Sequence, residues 1–128
     1  MLHYTQMSLD RASQQRKDIN WLNTQKTNNS RWLLIHQDKN LFNADLDKLQ
    51  LLLWSSVAHL NTDDAVYIGH QDELHYFVLD VSNIDSDEVR DLSAGGTFED
   101  MRKVGPKLSG FEASIGVLAR GMCYWHKT

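Results

Sequence analysis

The sequence predicts a small α/β domain of the α+β type, in which a mixed or antiparallel sheet is flanked by helices. Three observations predict this fold: short apolar runs rich in β-branched and aromatic residues, other segments with helical spacing of apolar residues, and polar turn clusters between them. The 128 residues are enough for one core and too few for two. We therefore expect a single domain over residues 1–128, in which residues 1–17 are a loose lead-in.

The strands are predicted from apolar runs bounded by turn-forming residues. Arg31–Gln37 is apolar and short, which favours a buried strand over a helix. A turn at Asp38–Asn40 then leads into Leu41–Phe42, a short hairpin partner. The runs AVYIG at 65–69 and HYFVLDV at 75–81 flank a polar stretch and predict an antiparallel pair.

Three helices are predicted before residue 95 from caps and apolar spacing. Asp18 is placed to cap a short helix that carries Trp21. A second helix runs from Asp45 to about Leu60, and Asp85 or Ser86 caps a brief third one through Leu92. The apolar positions that predict the second helix are Leu46, Leu49, Leu52, Leu53 and Val57.

Roughly the last forty residues have a helical pattern, which Gly105–Pro106 divides into two helices. The second covers residues 109–126, opens with Ser109 and Glu112 at capping-box spacing, and contains Gly116 and Gly121, which close packing would explain. Its apolar residues recur every three or four positions and form one continuous face, the candidate docking or dimer face. The face consists of Phe111, Ile115, Leu118, Met122 and Trp125.

Charge and cysteine content limit the partners of the chain. The net charge of −4 offers no general attraction to DNA or to anionic lipid. No apolar run approaches the roughly 18 to 20 residues of a membrane span, and the N-terminal residues lack the pattern of a secretory signal. The single cysteine, Cys123, cannot form an internal disulfide. We expect a protein of the cytoplasm, or of the peroxisome in a eukaryote, without a DNA or membrane partner.

Two groups of residues raise the question of a metal site. His70 and His75 flank a predicted turn that holds Asp72 and Glu73, so a surface metal site is an alternative to a solvated turn. Cys123 and His126 have a ligand spacing, but a structural zinc needs four ligands and no second pair follows. We interpret Cys123 as a semi-buried helix thiol, and the six histidines contain no HExxH motif.

Other suggestive residues have simpler interpretations. Gly95–Thr97 lacks the spacing of a phosphate-binding loop. The acidic pairs at Asp63–Asp64 and Asp85–Glu88 stand at predicted turns and helix starts, where carboxylates cap helices. Without a basic groove, the tryptophans are expected to be core or interface anchors rather than base-stacking platforms. They are Trp21, Trp32, Trp54 and Trp125.

The order of several short motifs resembles one family, the NADH pyrophosphatases (NAD diphosphatases) of the Nudix superfamily, in their N-terminal domain. The family opens with L-D-R and a following W-L, continues with a strand pair of the form FLG and FALD, and closes with A-R and W-H. The corresponding residues here are Leu9–Arg11 with Arg16 and Trp21-Leu22, Tyr67–Gly69, Phe77–Asp80, and Ala119-Arg120 with Trp125-His126.

The resemblance implies a degenerate Nudix-like domain that lacks the catalytic box. The chain has four glutamates and neither an Arg-Glu nor a Glu-Glu dipeptide, so no catalytic residue and no metal ligand of the family carries over to it. In the family, a four-cysteine ribbon holding structural Zn²⁺ follows this domain, and a Nudix domain with Mg²⁺ or Mn²⁺ at its box comes next. Both ions would lie outside this chain.

The function implied is that of a non-catalytic structural and dimerisation domain. Its partners would be its own zinc ribbon and Nudix domain and a second subunit in a homodimer. The parent enzyme would cleave the substrate NAD(H), as NADH or NAD⁺, to NMNH or NMN and AMP, and it would also act on NAD-capped RNA. Two alternatives are a stand-alone interaction module and a small hydrolase that uses the His70–His75 turn and Asp63–Asp64 with a metal.

Overall fold

The computed structural model describes residues 18–127, with side chains described as far as Met122. Within this range one mixed, open sheet of six strands packs with five α-helices, as the sequence predicts. The strands are β1 Ser30–His36, β2 Lys39–Phe42, β3 Leu52–Leu53, β4 Val66–Gln71, β5 Leu74–Asp80 and β6 Thr97–Glu99. The helices are α1 Ile19–Thr24, α2 Trp54–Val57, α3 Ser86–Ser93, α4 Met101–Val104 and α5 Gly110–Lys127, with a 3-10 turn at Gly105–Lys107.

The sheet is built around β1. Its strand order is β4-β5-β1-β2-β6, and β3 pairs with the first residues of β1. β1 and β5 are parallel, with Trp32 opposite Phe77, and every other pairing in the described sheet is antiparallel. Because β1 has helices on both sides, it needs apolar residues on both faces, which explains its unbroken apolar run.

Successive residues of β1 belong to two different cores, one on each face of the sheet. Leu33 and Ile35 lie in the core beneath α4 and α5, whereas Trp32 and Leu34 lie in the core beneath α2 and α3. The first core consists of Leu33, Ile35, Phe42, Leu49, Ile68, Tyr76, Val78, Met101, Val104, Ile115 and Ala119. The second consists of Trp32, Leu34, Leu41, Leu52, Val57, Tyr67, Phe77, Leu79, Val81, Val89 and Leu92.

The predicted caps and the predicted hairpin are confirmed. Asp18 accepts hydrogen bonds from the backbone N–H groups of Asn20 and Trp21, at 3.0 and 3.2 Å, and so begins α1. Asp85 accepts from the N–H of Asp87 at 3.1 Å and begins α3. Strands β4 and β5 form the antiparallel pair predicted from the two apolar runs.

The helix predicted from Asp45 to Leu60 is wrong. The chain between β2 and β3 is irregular, and only Trp54–Val57 is helical. Asn43 is one reason, because its side-chain oxygen accepts from the N–H groups of Asp47 and Lys48 and closes a local loop. The other reason is that Leu52 pairs with Trp32 in the sheet, a contact that local spacing cannot reveal.

The C-terminal region is divided into two helices, as predicted, and it also contains one strand that the sequence does not predict. The 3-10 turn at Gly105–Lys107 separates α4 from α5, and α5 covers almost the predicted residues 109–126. Thr97–Glu99, which the sequence places in a helical pattern, is instead the edge strand β6. Within residues 18–127 we find no helix with both the length and the apolar character needed to cross a membrane.

Candidate functional site

The predicted docking stripe lies on α5, and much of it packs on the sheet of its own domain. Ile115 is fully buried, with 0% exposure, in the first core. Phe111, Leu118 and Met122 are partly buried against the same core. The side chain of Trp125 lies outside the described residues. The stripe therefore contributes to the packing of this domain, and its role as a docking face stays a prediction.

One edge of α5 is hydrogen-bonded to the loops and strands below it. Glu112 Oε1 accepts from the backbone N–H of Leu49 at 2.7 Å, and Arg120 Nε donates to the backbone oxygen of Asp38 at 2.9 Å. Gly116 lies midway between them, one helical turn from each. We call Glu112, Gly116 and Arg120 the polar seam, because all three bond to groups outside α5.

The middle of the polar seam is buried. Asn40, which is 1% exposed in β2, donates from Nδ2 to the backbone oxygen of Gly116 at 3.1 Å. A Cβ at Gly116 would lie 2.9 Å from Sδ and Cε of Met101, closer than normal packing permits. Gly116 therefore lets α4 pack tightly against α5, as the sequence suggests. Gly121 has no such neighbour, because nothing lies within 4 Å of a Cβ built there.

The capping box predicted at the start of α5 forms on one side. The Ser109 hydroxyl accepts from the N–H of Glu112 at 3.2 Å, which is the expected cap. The Glu112 carboxylate bonds to Leu49 instead of returning to Ser109. The spacing thus predicts the helix start correctly and gives no sign of the long-range bond that this carboxylate makes.

The predicted His70–His75 turn is a tight hairpin, and the two imidazoles face each other. His70 and His75 are directly opposite in the β4–β5 register, with ring centroids 5.3 Å apart. Nδ1 of His75 lies 2.9 Å from the hydroxyl of Tyr67, and the His75 ring meets the edge of Trp21 at 6.0 Å. Burial, and secondly the nearby His70, lower the pKa of His75.

The carboxylates near this turn do not join the histidines. Asp72 and Glu73 are exposed at the hairpin tip. In the part of the chain that the structure describes, no three His, Cys, Asp or Glu side chains gather as metal ligands. A hydrolase that takes three such ligands from the His70–His75 turn and Asp63–Asp64 therefore has no support from the geometry of these residues.

The acidic group at Asp85–Glu88 has the structural role expected of it. Asp85 caps α3, and Asp87 pairs with Arg90 one turn later. Glu88 Oε2 lies 3.3 Å from His59 Nε2, which links α3 to the residues that follow α2. These two side chains lie on a cleft of about 710 Å³ between the 49–59 segment and α3, which the sequence does not predict.

A smaller hollow, of about 390 Å³, lies between α1 and the sheet and contains a fixed ammonium group. Lys26 Nζ donates to the backbone oxygen and to Oγ1 of Thr62, at 3.1 and 3.2 Å. Burial lowers the pKa of Lys26, and the charge of Asp63 partly opposes that effect. No sequence motif marks Lys26, since its partner lies 36 residues away.

The tryptophans within the described side chains are packing residues, as expected. Trp32 is fully buried and stacks on Phe77 with centroids 4.6 Å apart and planes at 9°. Trp54 lies 5.4 Å from Trp32, and Trp21 meets Tyr67 edge-on at 5.4 Å. These rings anchor α1 and α2 to the second core.

The glycine pair after α3 serves the turn into β6. Gly95 has a φ of 86°, a conformation that glycine adopts without strain. A Cβ at Gly96 would lie 2.5 Å from the backbone oxygen of Phe42. The local backbone therefore explains both glycines. This agrees with the sequence, in which these residues lack the spacing of a phosphate-binding loop.

The fold and the residues that support it agree with one protein family. A family model described as the NADH pyrophosphatase-like rudimentary NUDIX domain matches residues 29–125, about three quarters of the chain. The chain belongs to this family. The match to this NUDIX-like family runs from just before β1 into α5, so it includes every strand of the sheet. No curated protein sequence matches the chain.

Proposed function

We propose that this NUDIX-like domain is the non-catalytic N-terminal domain of a Nudix NAD(H) diphosphatase. The observation that carries the proposal is the family match, which spans the whole sheet and nearly all of α5. The parent enzyme would hydrolyse the pyrophosphate of NADH or NAD⁺ to NMNH or NMN and AMP, and would act on NAD-capped RNA as well. We place it in the cytoplasm, or in the peroxisome of a eukaryote.

The positions of the glutamates support a non-catalytic role. Nudix chemistry requires several carboxylates close together, since they hold the divalent ions that bridge the pyrophosphate. Here the four glutamates lie on different elements: Glu73 in the hairpin turn, Glu88 on α3, Glu99 on β6 and Glu112 on α5. Glu112 is also engaged by the Leu49 N–H. The residues present therefore do not fit the Mg²⁺ or Mn²⁺ of a Nudix box.

The ribbon zinc would also belong to another part of the enzyme. Four thiolates hold it in the family, and this chain supplies one cysteine, Cys123. We therefore assign Zn²⁺ to the ribbon and the catalytic ions to the Nudix domain. The contribution of the present domain is a packed, rigid surface.

We assign docking to the outer side of α5. Val117 is 61% exposed there, and it borders a hollow of about 250 Å³ that extends to Met101 and Gly105. The stripe residues Leu118 and Met122 lie on the same helix but pack against the first core, so this surface is a different side of α5 from the predicted stripe. Because the polar seam fixes how α5 is rotated on the sheet, this surface would be held in one orientation toward the ribbon, the Nudix domain or a second subunit.

The natural transcript beyond the codon of Thr128 tests the proposal directly. A Cys-x-x-Cys pair soon after Thr128, followed by a glutamate-rich Nudix box, is the expected result. The 128-residue chain alone should then release no AMP from NADH with Mg²⁺ or Mn²⁺, whereas the longer chain should. A stop codon at that point would overturn the enzyme-domain proposal and favour the stand-alone interaction module. AMP release by the short chain would contradict its non-catalytic role.

A further inference from the structure

An irregularity in the hairpin brings two histidines together. Between the pairs Tyr67–Phe77 and Gly69–Tyr76, β4 contains one extra residue, a β-bulge. Gly69 has a φ of 152° at this point, which favours glycine. Because side chains alternate along a strand, the extra residue changes which face the following residues occupy. Without the bulge, Gly69 would lie opposite His75. With the bulge, His70 lies opposite His75.

The spacing of the two rings matches that of imidazoles sharing one tetrahedral ion. Their centroids are 5.3 Å apart, with planes at 41°. Two imidazoles bound through nitrogen at about 2.05 Å to one tetrahedral Zn²⁺ would have centroids about 5.2 Å apart. The separation of the rings is therefore compatible with one shared ion once both Nε2 atoms are turned toward it.

Both rings have their Nδ1 atoms held by oxygen. Nδ1 of His75 lies 2.9 Å from Tyr67 Oη, and Nδ1 of His70 lies 3.4 Å, a long contact, from the backbone oxygen of Asp72. The backbone oxygen of Asp72 can only accept, so it favours the His70 tautomer with its lone pair on Nε2. The Tyr67 hydroxyl can donate or accept, and it would accept from Nδ1–H of His75 when Nε2 of that ring binds an ion.

We propose that His70 and His75 form a two-histidine chelate for a zinc-like divalent transition ion, with water completing its coordination. Imidazole suits such ions, whereas Mg²⁺ and Ca²⁺ prefer oxygen ligands. An ion bound here would join β4 to β5 at the tip of the hairpin and would sit beside Trp21, which packs on His75. The chelate does not depend on the proposed enzyme role of the domain.

Zn²⁺ titration of the ¹⁵N-labelled 128-residue chain at pH 7.5, followed through the imidazole nitrogens, tests the proposal. We expect the Nε2 signals of His70 and His75 to shift together, along one binding curve. His70→Gln should weaken the response of His75 at least tenfold, and His75→Gln should do the same to His70. His59→Gln is the matched control and should leave both curves unchanged, because His59 contacts Glu88 on a different surface.

The Tyr67 hydroxyl, which contacts Nδ1 of His75, allows a second test of the proposal. Removing such a partner typically costs about 10- to 100-fold in metal affinity, so Tyr67→Phe should weaken binding about tenfold while both histidines still shift together. The wild-type titration alone can overturn the proposed chelate. If His70 and His75 bound ions independently, their Nε2 signals would follow two separate binding curves. An unchanged His75 response in His70→Gln, with the hairpin amide signals intact, would overturn it as well.

Discussion

The carboxylate of Glu112 accepts a hydrogen bond from the backbone N–H of Leu49, 63 residues earlier, at 2.7 Å. This bond ties the first turn of α5 to the irregular segment between β2 and β3. Leu49 is itself buried in the first core, so its amide has little access to water. Glu112 thus stabilises both the segment that the sequence predicts wrongly and the helix that it predicts correctly.

Removing the Glu112 carboxylate should destabilise the domain. Glu112→Ala leaves the Leu49 amide without this acceptor, and a hydrogen bond to a charged group contributes about 1.5–3 kcal/mol. We expect a loss of that size in the free energy of unfolding, measured with urea. Glu112→Gln keeps an acceptor and should lose about half as much. Glu73→Ala, at the exposed hairpin tip, is the control and should change stability by less than about 0.5 kcal/mol.

The two glycines inside α5 should respond differently to alanine. Gly121 is exposed with open space around it, so Gly121→Ala should raise the free energy of unfolding by up to about 1 kcal/mol through helix propensity. At Gly116 the added methyl would meet Met101 at 2.9 Å. Overpacking costs about 1–3 kcal/mol where the neighbours are fixed, but the Met101 atoms here are the end atoms of a flexible side chain, so the contact should cancel part or all of the helix gain. Equal stabilisation by both substitutions would show that Met101 moves aside freely.

Stability should fall in mild acid partly because of His75. Its pKa in the folded protein lies below the ordinary 6.5, chiefly through burial and secondly through His70. Below about pH 6.5 the unfolded chain therefore binds a proton that the folded chain resists. The free energy of unfolding decreases as the pH falls through this value, and the loss is complete once the pH is below the folded pKa.

Urea unfolding at pH 7.5 and pH 5.5 measures this effect. His75→Gln should reduce the difference in unfolding free energy between the two pH values. His36→Gln, in β1, is the matched control because it removes one histidine from the same sheet without touching the hairpin. A pH difference that His75→Gln leaves at the wild-type size would contradict the assignment.

Local sequence patterns predict the elements whose signals lie within a few residues. Asp18 and Asp85 cap helices through bonds to residues two or three positions away, so the local sequence is enough to predict them. The helix predicted at 45–60 does not form, because Leu52 pairs with Trp32 and pairing across the sheet outweighs helical spacing. The sequence does not predict β6, because three residues at the edge of a sheet are too few to show the alternation of apolar and polar residues that is typical of a strand.

The candidate sites are less predictable than the fold for the same reason. Asn40 and Gly116 are 76 residues apart, and nothing local to either indicates their hydrogen bond. The sequence places His70 and His75 at one turn but cannot place them on one face, because this depends on the bulge before Gly69. The order of the motifs along the chain indicates the family, because that order carries long-range information that periodicity lacks.

Association through α5 should depend on Val117. An aspartate there would place a charge on the apolar outer surface, and Val117→Asp should shift the chain from dimer toward monomer in sedimentation velocity at micromolar concentration. Val117 is 61% exposed, so the free energy of unfolding of the monomer should change by less than about 0.5 kcal/mol.

Leu53→Asp and Ile19→Asp are the matched controls for this surface. Both residues are large, apolar and exposed, at 50% and 72%, and neither lies on α5. They remove an amount of exposed apolar surface comparable to that removed by Val117→Asp. A nonspecific decrease in self-association would therefore affect all three variants alike. If docking uses the outer side of α5, only Val117→Asp shifts the dimer equilibrium. A wild-type chain that is monomeric at these concentrations, or equal shifts in the three variants, would contradict the assignment of the outer side of α5 as the dimer surface.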